Sequence, residues 1–249
     1  MNLVNTTKIE YENSKEVTLL THLGLGDCIE CNGMVRYYAD LYEKVNIFAK
    51  EQYYDMVEQM YEDDDSISVN KVIGSEFECF FRFLEQTGAT DVVIPGFNSY
   101  EGNLHMFEQL LMGPAEAFYF LAEVPWRMRV EKFYFKRDAS KEKKVLEKLN
   151  PNNEKYIFVH DDPDRGYNID IESEYKIIRN DKSLNLLDMV GLFENAEEIH
   201  CMSSSILCLI DCLSLKVKFP PLFLHHDVRN VELGPNGLFA DWNIVANAQ

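Results

Sequence analysis

Positive charge is scarce in this sequence: 24 Lys and Arg residues stand against 42 Asp and Glu in a chain of 249, a formal net charge of −18. A surface so acidic repels phosphate backbones and anionic lipid headgroups, which argues against nucleic acid or a polybasic membrane contact. A phosphorylated small ligand remains admissible only where a few Arg side chains or a helix N-terminus create local positive potential. No apolar run of about 18 residues occurs, so no transmembrane helix is expected. Met1 to Glu16 lacks the apolar stretch of a signal peptide, and the expectation is a cytoplasmic protein. The six histidines form no H-x-x-x-H pair, and no G-x-S-x-G element marks a serine hydrolase. Cys28-x-x-Cys31 has no second cysteine pair to complete a zinc site. With no export signal, Cys28, Cys31, Cys79, Cys201, Cys208 and Cys212 read as reduced thiols, mostly buried. Internal repeats and low-complexity tracts are absent too.

What the chain does have is core material, 46% hydrophobic and 12% aromatic residues, in an alternation of short apolar runs and helical periodicity. Val17–His22, Val45–Ala49 and Asp91–Pro95 read as buried strands. Helical spacing covers Asp27–Tyr42, Gln52–Met60 and Glu76–Gln86, with Glu62–Asp65 as a solvated acidic loop. His105–Leu121 reads as two helical pieces broken at Gly113-Pro114, and Pro125–Arg129 as an irregular aromatic and basic segment. A charged helix over Ser140–Leu149 leads to Pro151-Asn152-Asn153, a candidate lobe boundary. The rhythm then restarts with strands at Tyr156–His160, Glu198–Cys201 and a final one at Leu222–His225. Helices fall at Asn185–Phe193 and Ser204–Leu213. This pattern predicts two successive α/β lobes with a cleft between them.

Three segments carry candidate chemistry. The first is His22-Leu23-Gly24-Leu25-Gly26-Asp27, directly after a first strand. Glycines there let the backbone approach a ligand closely, at the strand ends where open α/β sheets bind. Asp27 either points into that crevice or simply caps the following helix. A dinucleotide fingerprint fits poorly, because Ile29 takes the place of its third small residue. Ala49 and Lys50 stand where its ribose-binding acid belongs. The second segment is His160-Asp161-Asp162-Pro163-Asp164-Arg165-Gly166, in which Arg165 offers a planar donor suited to phosphate oxygens. Asp162 and Asp164 form a D-x-D pair able to hold a divalent metal, or all three acids belong to a solvated turn. The third is Ser203-Ser204-Ser205, whose hydroxyls and amides at a helix start suit an anion or merely cap the helix. Trp126, Arg127 and Arg129, together with the loop Asn98–Asn103, are candidate acceptor contacts, with plain packing an equal alternative.

Together these segments resemble a family. VTLLTHLGLGD followed by Asn32-Gly33-Met34-Val35-Arg36 is similar to the N-terminal lobe of GT-B glycosyltransferases of the heptosyltransferase type (the ADP-heptose:lipopolysaccharide group). YIFVHDDPDRG and EIHCMSSSILCLIDCL are similar to their donor lobe. The resemblance implies two Rossmann-like lobes facing across a cleft, with residues 1–137 as the acceptor-side lobe and 150–249 as the nucleotide-sugar-binding lobe. It further implies Asp27 as catalytic base, with Gly24, Gly26, His160, Arg165, Ser203, Ser204 and Ser205 binding donor and phosphate. The reaction implied is inverting transfer, without metal or other cofactor, from a nucleotide-sugar donor to a glycan or other hydroxyl acceptor. The chain departs from the family in having three serines for its Asp-Thr-Gly turn, Cys208 where the family has a His, and a short length. Heptose is not carried over as the sugar. Two rivals keep the ligand class: a GT-A-type enzyme using Mn²⁺ or Mg²⁺ on Asp162 and Asp164, and a non-catalytic nucleotide- or carbohydrate-binding module. A third is an interaction protein whose glycine turn is only structural.

Overall fold

The computed structural model describes residues 15–231 and 233–245, with the backbone alone for Asn98. The chain divides into two compact units, one of residues 1–136 with 233–237 and one of residues 137–232 with 238–249.

In the first unit, β1 (Glu16–Leu19) leads into α1 (Leu25–Glu30) and α2 (Asn32–Ala39), and β2 (Lys44–Lys50) into α3 (Tyr54–Gln59). β3 (Ile67–Val72) is followed by α4 (Glu76–Thr87). After β4 (Val92–Val93) come α5 (Phe97–Glu101), α6 (Leu104–Gln109), α7 (Pro114–Leu121) and α8 (Met128–Glu131). The strands pair in parallel in the order β3-β2-β1-β4. Interior strands of such a sheet are covered on both faces, and Val17, Leu19, Val45, Ile47 and Phe48 are accordingly buried. The helix expected from Asp27 to Tyr42 is interrupted at Cys31, and α2 then packs backbone-close on α8. A Cβ at Gly33 would lie 2.2 Å from the Met128 carbonyl oxygen. α4 carries both end signals: Ser75 caps its start through the Glu78 N–H, and Gly88 ends it at φ 68°. The break expected at Gly113-Pro114 separates α6 from α7, with Pro114 at the first helical position. Leu233–Gly237 joins this unit because its backbone lies on Gly113, where a Cβ would meet the Leu233 oxygen at 2.3 Å.

The second unit opens with α9 (Ala139–Leu149), capped by the Asp138 carboxylate on Ser140 and Lys141 N–H groups. α9 belongs here because Arg137 bridges its Glu142 to Glu194, so the division falls ahead of Pro151-Asn152-Asn153. Then follow β5 (Tyr156–His160), β6 (Lys176–Arg179), α10 (Val190–Glu194), β7 (Glu198–Cys201), α11 (Ser205–Leu213), β8 (Leu222–His225) and β9 (Trp242–Val245). The sheet is again parallel throughout its described ladders, in the order β6-β5-β7-β8-β9. Leu222–His225 is therefore not the final strand. β3, β6 and β9, which the apolar pattern does not reveal, are all edge strands. No helix among the described residues is long and apolar enough to cross a membrane.

One buried carboxylate ties the last strand to the unit. Asp211, fully buried on α11, accepts from the N–H groups of Phe239 and Ala240 and from the Trp242 indole. Replacing it with Ala would strand these donors away from water, at about 1–3 kcal/mol for each unsatisfied group. Asp211→Ala should lower unfolding stability by at least about 2 kcal/mol in urea titrations followed by far-UV dichroism. A midpoint unchanged from wild type would show that the carboxylate is dispensable.

Candidate functional site

Both strand orders reverse at one point, between β1 and β4 in the first sheet and between β5 and β7 in the second. At such a point neighbouring connections leave in opposite directions and open a crevice beyond the carboxyl ends of the strands. The sequence-derived segments lie at these two places, and each is described within its own unit.

In the first unit the chain leaves β1 through Leu20 and Leu23, both buried against Phe48, Val72 and Phe80. Gly24 caps α1 in ordinary extended geometry (φ −68°), so no left-handed turn demands a glycine there. A Cβ on Gly24 would instead lie 2.6 Å from the Asp27 Oδ2, so a larger residue there would displace that carboxylate. Asp27 is thus not the N-cap residue. It occupies the third helical position, and its carboxylate reaches back to the Gly24 N–H, half of a capping box. Burial raises the Asp27 pKa, with Glu30 acting in the same sense and His22, the Gly24 N–H and Lys50 opposing. Gly26 lies within α1 between the two.

His22 is a neighbour that sequence reasoning passed over although it opens the same motif. Its ring stacks between Phe97 (4.6 Å) and Phe118 (5.4 Å), with Tyr100 edge-on at 6.3 Å. Its Nε2 is buried without a hydrogen-bond partner. The backbone at His22 also touches β4's exit closely, a Cβ at Gly96 falling 2.6 Å from the His22 nitrogen. The acceptor candidates have partners within this unit: Arg129 is buried in an ion pair with Glu30 and lies 5.2 Å above the Trp126 ring. Trp126 donates to the Asn236 carbonyl, and Arg127 pairs with Glu131.

In the second unit, β5 delivers His160 opposite Cys201 of β7, and the Met202 N–H donates to the His160 carbonyl. His160 is 8% exposed, and neither ring nitrogen has a well-formed hydrogen bond, although Asn180 lies beside it. Burial pushes its pKa down to about 4, so the imidazole is neutral near pH 7. The acids that follow are already matched. Asp161 accepts from Arg179 and from the Ile169 N–H. Asp162 accepts from Arg165 and from Lys182 at 2.6 Å, and Lys182 also reaches Asp164 at 2.8 Å. Lys182 and Arg165 hold the Asp162 carboxyl below its ordinary range. The D-x-D pair therefore grips the Lys182 ammonium. Arg165 is likewise committed to Asp162 and lies over Tyr167 at 5.6 Å. A left-handed Gly166 (φ 82°) closes the turn.

Ser203 is buried, and its carbonyl accepts from Arg229 Nη1 at 3.0 Å. Ser204 occupies the N-cap position of α11 in extended geometry, but its side chain makes no capping bond and its Oγ is buried without a partner. The cap-only reading of the serines is thus not realised, and α11, with Ser205 as its first residue, starts without a side-chain cap. None of the six cysteines is in a disulfide; Cys79 and Cys208 are half-buried and the rest buried. Among the described residues no His, Cys, Asp and Glu cluster is arranged to hold a metal.

Two Rossmann-like units built on parallel sheets define the GT-B class of fold. The comparisons agree. The chain is similar to the solved structure of glycosyl transferase family 9 from Veillonella parvula DSM 2008. That match has a TM-score of 0.58 and 10% identity, and it covers 94% of this chain and 86% of that one. It is also similar to E. coli ADP-heptose LPS heptosyltransferase II, with a TM-score of 0.54 and 10% identity over 92% of this chain and 90% of that one. No protein-family model matches the sequence, and no curated protein matches it.

The His160 environment has a pH signature. Between 6.5 and about 4, the unfolded chain binds a proton that buried His160 refuses, so stability falls as pH drops through that window. The loss from this group is about 3 kcal/mol. Urea midpoints measured from pH 7 downward should fall less steeply in His160→Gln than in wild type. Parallel slopes would show that His160 carries no such linkage.

Proposed function

We propose that this protein is a glycosyltransferase that moves a sugar from a nucleotide-sugar donor to a hydroxyl acceptor, with inversion and without a metal ion. The observation that carries the reading is a partly buried Asp27 at the carboxyl edge of the first sheet, in a chain whose fold is that of GT-B transferases. In this reading Asp27 removes the proton from the acceptor hydroxyl while that oxygen bonds to the anomeric carbon. The bond from that carbon to the phosphate oxygen breaks, and the nucleoside diphosphate leaves with its electron pair. A raised pKa suits the role, because a base works best when its pKa approaches the working pH. The first unit serves the acceptor and the second the donor. There the Ser203–Ser205 backbone, the start of α11, His160 and a guanidinium stabilise negative charge developing on the leaving diphosphate. Metal independence is supported by Lys182 and Arg165, whose two positive charges already match Asp162 and Asp164.

A thermal-shift panel of nucleoside diphosphates and nucleotide sugars, run with EDTA and with Mn²⁺, tests the donor. Stabilisation by one nucleotide family in EDTA is expected; stabilisation only with Mn²⁺ would overturn metal independence. With the donor in hand, Asp27→Asn should retain binding and lose about 10²–10⁴-fold in turnover. Near-normal turnover would remove Asp27 from the mechanism.

A further inference from the structure

At the carboxyl edge of the second sheet, three of the described cations are held by carboxylates. Arg179 is matched by Asp161, and Arg165 with Lys182 by Asp162 and Asp164. Arg229 has no carboxylate partner among the described residues. Its bond is to a neutral group, the Ser203 carbonyl, through Nη1 at 3.0 Å. A guanidinium has five N–H donors in a fixed plane, so most of this fork remains for an external acceptor. The anchor places it on the loop that starts α11, a nine-residue helix whose N-cap side chain is unused.

Two further polar groups at the ends of these strands are buried. Ser204 Oγ has no partner, and His160 is nine-tenths buried with no well-formed bond at either ring nitrogen, Asn180 lying beside it. His160 and Cys201 are in register, and alternation along β7 puts Ile199 on their face of the sheet. Ile199 is level with Leu222, and Leu222 with Trp242, whose indole donates to Asp211 of α11. α11 therefore covers the face that carries His160. Buried polar groups without partners cost folding free energy, and several at one strand edge mark a place completed by a ligand.

We infer that Arg229 is the guanidinium that reads the anionic group of the ligand at this edge, the pyrophosphate of a nucleoside diphosphate. Resting on the donor reading above, the assignment transfers to Arg229 the part that the sequence motif suggested for Arg165. It also bears on how a chain of net charge −18 gathers a polyanion, since Asp161, Asp162 and Asp164 are already held by Arg179, Arg165 and Lys182.

Isothermal titration of the full chain with inorganic pyrophosphate, and with ADP, GDP, UDP and CDP, tests this in EDTA. Wild type is compared with Arg229→Gln, Arg229→Lys, Arg165→Gln and the distant surface control Lys143→Gln. Arg229→Gln should weaken pyrophosphate and the preferred nucleotide by roughly 10–100-fold, the range for a lost charge-assisted bond. Arg165→Gln should lose less, and Arg229→Lys should fall between, keeping the charge without the planar fork. Dichroism checks that each variant is folded, and Arg229→Lys carries the test if Arg229→Gln is not. Pyrophosphate binding that depends on Arg229, with no gain from any nucleoside, would uphold the assignment and sink the nucleotide-donor reading. A nucleotide bound within about threefold of wild type by both Arg229 variants would overturn the assignment while that reading stands. Absence of any binding to wild type would overturn both.

Discussion

A parallel strand cannot be followed by its neighbour through a tight turn, because the chain must first return to the starting edge. All the described ladders in both sheets are parallel, so each strand leaves by the same edge and hands its last residues to a loop there. That requirement collects Leu20–Asp27 with Pro95–Phe97 in the first unit, and His160–Arg165 with Met202–Ser205 and the loop after β8 in the second. The chemistry of both units follows from this geometry, since residues far apart in sequence reach a common edge without any dedicated motif. Where the strand order reverses, the loops diverge, and His160 is left buried at a strand end without a well-formed hydrogen bond at either ring nitrogen.

The acidity of the chain acts differently on the two edges. In the first unit a carboxylate is partly buried beside a ring-stacked histidine, and burial drives its proton affinity up. In the second, carboxylates are consumed by Arg179, Arg165 and Lys182, and their negative charge ceases to oppose an anion. In the function proposed above, one edge accepts a proton and the other holds a phosphate, in a chain whose net charge is strongly negative. Electrostatics of this kind are local, because the screening length at physiological salt is about 8 Å.

Legibility in the sequence followed burial. The interior strands β1, β2, β5, β7 and β8 are read from their apolar runs, since a strand covered on both faces must be apolar on both. ISVNKV, KIIR and WNIV are edge strands with partly wet faces, and without a continuous apolar run they pass for loop. The glycines before Asp27 were legible as a special backbone, but the reason differs. Gly24 makes room for a carboxylate three residues on instead of supplying an unusual dihedral angle. Arg165 was legible as a cation next to a strand end, yet its partner Asp162 is three positions away and takes its charge. Arg229 sits in no motif and acquires its place only through the Ser203 carbonyl.

What the sequence by itself determined is the order of buried strands and helices, the scarcity of positive charge and the three candidate segments that follow strand ends. These are local properties, set by hydrophobic period and residue type within a few positions. Which cations remain unpaired, which histidine loses its hydrogen bonds and which edge strands complete each sheet were decided by the tertiary structure. Pairing and desolvation depend on neighbours tens of residues away: Lys182 on Asp162 and Asp164, Arg229 on Ser203, Trp242 on Asp211. No local pattern records such contacts, because they exist only once the parallel strands have brought their ends to one edge.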